Sequence, residues 1–143
     1  MKHLSLSLLC SLVLLNLINL PNKVQAQSPT FGFAKQYGST FSDQMSGLTL
    51  DGSGNLIFGG IFTDSTDMDP GPGNYILYGN SNLTLDGFIC KVDSGGNPLW
   101  AYSIGGQRTD EVLGVATDPL GNVYACGHFR DTVDFNPGAG VLI

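Results

Sequence analysis

An all-β fold of repeated antiparallel strands is predicted for this sequence by three observations. The acidic residues are almost all of the turn-forming kind, since eleven are Asp and only Glu111 is Glu. A short Asp side chain bonds nearby backbone amides, which favours turns over helix interiors. The chain also carries 20 Gly and 7 Pro in 143 residues, and beyond residue 26 no window has helical periodicity. The third observation is an internal repeat. With Phe33 set on Trp100, an offset of 67, the chain aligns with itself without a gap and is identical at 15 of 44 positions. Gly38, Asp43, Gly47, Gly54-Asn55, Gly60 and Pro70-Gly71 fall on Gly105, Asp110, Gly114, Gly121-Asn122, Gly127 and Pro137-Gly138. These are turn-setting residues, so what recurs is where the backbone reverses.

The first residues are set apart from this pattern. Lys2 and His3 precede an apolar run over 4–20 in which nine of seventeen residues are Leu; Pro21 breaks it, and Val24-x-Ala26 offers small residues for cleavage. That order predicts a secretory signal over 1–26, with the mature chain starting at Gln27. The run is short for a membrane span, which needs about 20 apolar residues, and no span is expected after cleavage. Leu9 before Cys10 argues against a lipid anchor. The expected location is therefore secreted or cell-surface. Cleavage leaves four basic residues against twelve acidic ones, a net charge of about −8. Such a chain is poorly suited to a phosphate backbone, so nucleic acid is not an expected partner. Cys90 and Cys126 remain, either as two small buried side chains or as a bridge that an exported compartment permits.

The strands follow in order. Residues 47–50 and 114–117 are short strands, each running into an Asp-x-x-Gly-Asn turn at 51–55 and 118–122. Residues 56–62 are apolar on both alternating faces, and 123–129 nearly so; such strands need cover on both sides. Gly59 and Gly60 predict close approach by a neighbouring sheet. Residues 87–93 form a further strand, joined through Ser94-Gly95-Gly96-Asn97 to another over 98–104. Tyr75-Ile76-Leu77-Tyr78, inside a long turn-rich connection, is an extra strand or a cap.

Four short hairpin-linked strands covered on both faces are the content of one β-propeller blade. A β-sandwich or a solenoid of similar units is the alternative. The expected organisation is a lead-in over 27–46 with the outer strand of a preceding blade, a complete four-stranded antiparallel blade over 47–104, and the start of a second over 105–143. That is about one and a half blades. The uncovered faces of an incomplete propeller predict self-association.

The run Asp51-x-x-Gly54-Asn55, Gly60-x-Phe62, Asp67-x-Asp69-Pro70-Gly71, Asp86-Gly87-Phe88, Lys91-Val92-Asp93 and Gly96-Asn97-x-x-Trp100 resembles the SBBP family of β-propeller repeats. The likeness covers residues 33–143. It implies a secreted bacterial repeat protein with propeller architecture. The second copy departs from the pattern at Asn136, where the first has Asp69, and stops before the strand that would match 87–93.

Little in the sequence points to catalysis. His128 lies in the middle of a strand with no nucleophile signature beside it. Asp110 and Glu111 are adjacent, so along a strand they point to opposite faces. The acidic loops are the candidate sites. Asp64, Asp67 and Asp69 precede Pro70-Gly71, and Asp131, Asp134 and Asn136 precede Pro137-Gly138. Closely spaced carboxylates and amides can supply oxygens to calcium, here at Asp64, Asp67 and Asp69, or can cap tight turns. The missing twelve-residue calcium loop weighs toward turns. Asp67, Asp69, Asp134 and Asn136 are the expected ligand contacts, because rim loops carry recognition. The expected function is a non-catalytic scaffold or a surface binding protein or glycan. The alternative is the N-terminal part of a propeller enzyme, such as a lyase, hydrolase or quinone-dependent dehydrogenase.

Overall fold

The computed structural model describes residues 31–79 and 84–136. The expected signal peptide, the Gln27 start, Cys10 and residues 137–143 lie outside them. The chain divides into residues 1–32 and 33–143, and the fold concerns the second unit. It is all-β, with no helix among the described residues. Eight strands follow one another: β1 Gln44–Leu50, β2 Leu56–Thr63, β3 Ser65–Asp67, β4 Ile76–Tyr78, β5 Leu85–Val92, β6 Pro98–Ile104, β7 Glu111–Thr117 and β8 Val123–His128. β1, β2, β5 and β6 form one antiparallel sheet in that order, while β3–β4 and β7–β8 form two-stranded ones.

One turn chemistry closes three hairpins. The Asp51 carboxylate accepts from the Ser53 and Asn55 amides at 2.8 and 2.9 Å and from Asn55 Nδ2 at 2.9 Å. Asp118 does the same with Leu120 and Asn122, and so does Asp93 with Gly95 and Asn97. The glycine before each Asn has φ near +80°: Gly54 at 80°, Gly96 at 77° and Gly121 at 84°. A side chain there would be strained, which is why the position is Gly. Lys91 Nζ adds an ion pair to Asp51 at 2.7 Å, and with Asn55 it holds that carboxyl well below the usual range.

The repeat persists in three dimensions down to its irregularities. β1 bulges between Met45 and Gly47, and β7 bulges between Val112 and Gly114, one repeat later. Asp64 and Asp131 both take a left-handed φ, of 64° and 65°, a conformation rare outside Gly, Asn and Asp. Asp43 Oδ2 accepts from the Ser39 amide at 2.6 Å, and Asp110 Oδ2 from the Gly106 amide at 2.7 Å.

β2 is buried along nearly its whole length because the first sheet is covered on both faces. On one face Phe58, Phe62, Phe88, Cys90, Val92 and Ala101 pack with Met68 and Leu77 from the β3–β4 region, with Tyr37 and Tyr75 at the margin. Tyr37 and Phe58 rings lie 5.1 Å apart, and the Tyr75 hydroxyl accepts from the Ala101 amide at 3.2 Å. This cap face is thus closed by the chain's own long connection. Against the opposite face, which carries Ile57, Gly59 and Gly87, β7 lies across β1, β2 and β5. The missing side chains let it in. An ideal Cβ on Gly59 would lie 2.7 Å from Val112 Cγ1 and 3.2 Å from Val115 Cγ1, and one on Gly47 would lie 3.0 Å from the Gly114 Cα. Val112 is fully buried there, a burial worth about 1.5–3 kcal/mol. Thr117 Oγ1 donates to the Leu50 carbonyl at 2.8 Å, and the Asp110 amide to that of Leu85 at 2.8 Å.

Two expectations about the strands are corrected. In the lead-in expected over 27–46 with an outer strand, residues 31–37 form no strand; Gly38 bridges to Asp67, and side chains hold the segment instead, Lys35 Nζ and the Tyr37 hydroxyl donating to the Gly96 carbonyl at 3.1 and 2.8 Å. β1 also starts earlier than residue 47, since Ser46 is the extra residue of the bulge and interrupts the alternation that marks a strand. Cys90 and Cys126 are unbridged, and only Cys90 is buried as two small apolar side chains would be. Cys90 sits in the cap-face core, where burial pushes its thiol up to about 12, whereas Cys126 is exposed on the second sheet. That sheet has nothing over its far face among the described residues, so β8 is largely exposed where β2 is buried.

Candidate functional site

The carboxylates of the first acidic loop are used locally. Asp67 Oδ1 accepts from the Asp69 and Tyr75 amides, both at 2.9 Å, and Asp69 Oδ1 from the Gly71 amide at 2.8 Å. A Cβ on Gly71 would lie 2.9 Å from Asp69 Oδ1, and one on Gly73 would meet Asp69 Oδ2. The glycines therefore make room for the carboxylate. In the second loop Asp134 Oδ1 accepts from the Asn136 amide at 2.9 Å, repeating the Asp67–Asp69 turn. Among the described residues no three His, Cys, Asp or Glu side chains are grouped to hold a metal, so Asp64, Asp67 and Asp69 do not converge.

The calcium alternative makes a direct prediction. With these side chains engaged as turn caps, adding millimolar calcium should leave the melting temperature unchanged. A bound ion at a hundredfold excess over Kd would stabilise by about 2.7 kcal/mol. A rise of several degrees that disappears in Asp67→Ala would establish a calcium site instead.

The two pairs of expected contact residues differ in surroundings. Asp134 and Asn136 line a cavity of about 300 Å³ whose other wall is the outer strand β6, through Ala101, Tyr102 and Ser103. Tyr102 also walls a smaller neighbouring cavity of about 120 Å³ with Phe135. The Trp100 and Tyr102 rings stack on each other at 5.3 Å with 27° between their planes, and Tyr102 remains 38% exposed. Asp67 and Asp69 do not line the cavity beside the first sheet at the lead-in. There, Lys35, Gln36 and Tyr37 face Thr66 and Met68 across about 210 Å³. The lead-in thus stands toward the first loop as 102–104 stand toward the second.

The Trp100–Tyr102 pair is a feature the sequence analysis did not single out. Its signal was available: two aromatics two residues apart on a strand share a face, and Pro98 at the start of that strand marks an edge. His128 is exposed and stands across from Glu111. Asp110 is fully buried, its two carboxylate oxygens accepting from the Gly106 and Arg130 amides, both at 2.7 Å. No family model, curated protein or solved structure matches the chain.

Proposed function

We propose that this chain is an exported, non-catalytic β-propeller repeat module of the SBBP type, and that it binds glycans along the outer strand of its first blade. The observation that carries the glycan assignment is the meeting of Tyr102, part-exposed and stacked on Trp100, with a carboxylate and an amide at one cavity. A sugar ring has an apolar C–H face that packs on an aromatic ring, and hydroxyls that bond to groups such as Asp134 and Asn136. The cavity is of the size of a small ligand site. The propeller assignment is supported by the repeated bulges, the repeated left-handed Asp residues and the second sheet lying on the glycine-bearing face of the first.

Trp100 is the only tryptophan, so its fluorescence reports on the site through the Tyr102 ring it stacks on. Titration with cello-, chito- and xylo-oligosaccharides should shift the emission in a saturable way. Tyr102→Ala and Asn136→Ala should each weaken binding about tenfold or more, a loss of roughly 1.4 kcal/mol, while the melting temperature holds. No response to any of the three series, alongside protection of Trp100 by a protein partner, would replace the glycan with a protein.

A further inference from the structure

The far face of the second sheet has a twin inside the chain, and the twin indicates what covers it. On the first sheet, the face bearing Gly47 and Gly59 receives Val112 and Val115 of β7. One repeat later, Gly47 and Gly59 become Gly114 and Cys126, cross-strand partners on the face turned away from the first sheet. A groove of about 240 Å³ lies there, lined by Gly114, Ala116, Tyr124 and Cys126, with Tyr124 58% exposed. One repeat earlier, Val112 and Val115 correspond to Met45 and Leu48. Those two are 50% and 57% exposed at the open margin of the cap face, beside Leu56 and Tyr37. The chain therefore displays both halves of its own internal interface, one at each end.

We propose that the far face of the second sheet docks a second copy of this chain, head to tail, with Met45 and Leu48 of one copy seated over Gly114 and Cys126 of the next. The substitutions between repeats suit a wider version of the same contact. Cys126 adds a side chain where Gly59 has none, so the incoming sheet stands further off. Met45 and Leu48 are longer than Val112 and Val115 and reach across that gap, Met being the more adaptable. The two surfaces differ from each other, so the contact is heterologous and does not stop at a dimer.

The test uses the free thiol of Cys126 in a Cys10→Ser background, with Cys90 fully buried and out of reach. Met45→Cys and Leu48→Cys each place a thiol opposite Cys126 of a neighbouring copy. Within one chain the two positions lie on opposite outer faces. Diamide, as the two-electron oxidant, should convert both variants into a ladder of dimers, trimers and larger species on non-reducing gels. On the same gels the parent chain, which forms no covalent link, should run as a single band of monomer mass. Sedimentation velocity of the parent should show mass rising with concentration, and Leu48→Glu should weaken that association about tenfold or more, with an unchanged circular dichroism spectrum. Three results would each overturn the proposal: a parent that is monomeric from micromolar to sub-millimolar concentration, dimers formed through two Cys126 residues, or association undiminished by Leu48→Glu.

Discussion

Gly60→Ala is expected to cost the fold about 3 kcal/mol or more, toward the upper end of what overpacking causes. The reason lies in the bulge of β1. The extra residue there swings the Gln44 carbonyl over β2, and a Cβ on Gly60 would run into that oxygen and lie 3.0 Å from the Met45 Cα. Both obstacles are backbone, so no side-chain rotation relieves them. β2 is also held between β1 and β5, paired with β5 along its length, and cannot move aside alone. Gly127, one repeat later, faces the Glu111 carbonyl in the same way. Among the described residues its strand has a single partner, β7, and its outer side is exposed. Gly127→Ala is therefore expected to cost clearly less, because the hairpin can open outward. Urea denaturation of the two variants against the parent measures both losses. Near-equal values, or a loss below about 1 kcal/mol for Gly60→Ala, would mean that the bulge does not set the geometry of β2.

Much of this arrangement can be read from the sequence, because turns and pleats are local. The turns at 51–55 and 118–122 are written in Asp, Gly and Asn, and β6 spans Pro98–Ile104, the range its apolar residues predict. Gly59 and Gly60 predict a neighbouring sheet; Gly59 admits one, toward Val112, whereas Gly60 faces the backbone of β1 in its own sheet. What the sequence hides depends on contacts between distant residues. Nothing local says that Tyr37, Met68 and Leu77 close one face of the first sheet while β7 closes the other. The turn at 93–97 repeats the Asp51 chemistry, yet it lies outside the offset of 67, so the alignment did not reveal it. Cys126 reads as a buried strand residue by its neighbours, and it is exposed because no sheet covers it among the described residues. At the candidate site, Asp134 and Asn136 are expected contacts and the i, i+2 spacing of Trp100 and Tyr102 is legible, but that β6 stands beside the second loop and brings Tyr102 to them is a contact between distant residues.

The second large effect is expected at Gly59, and it bears on the central claim that the second repeat stacks on the glycine face of the first. A methyl group at Gly59 would meet Val112 Cγ1 at 2.7 Å, the Phe88 carbonyl oxygen at 3.0 Å and Val115 Cγ1 at 3.2 Å. Gly59→Ala should therefore destabilise by about 1–3 kcal/mol, although alanine suits a strand better than glycine. Val112→Ala alone should cost about 2 kcal/mol, because Val112 is fully buried against that face. Together the two changes should partly compensate, since removing Cγ1 opens the space that the new methyl needs. The decisive measurement is the double-mutant cycle on Gly59→Ala and Val112→Ala by equilibrium denaturation. The stacked arrangement predicts a double variant more stable than the sum of the single losses by about 1 kcal/mol or more. Additivity within about 0.5 kcal/mol would contradict it, showing that β7 does not lie over Gly59.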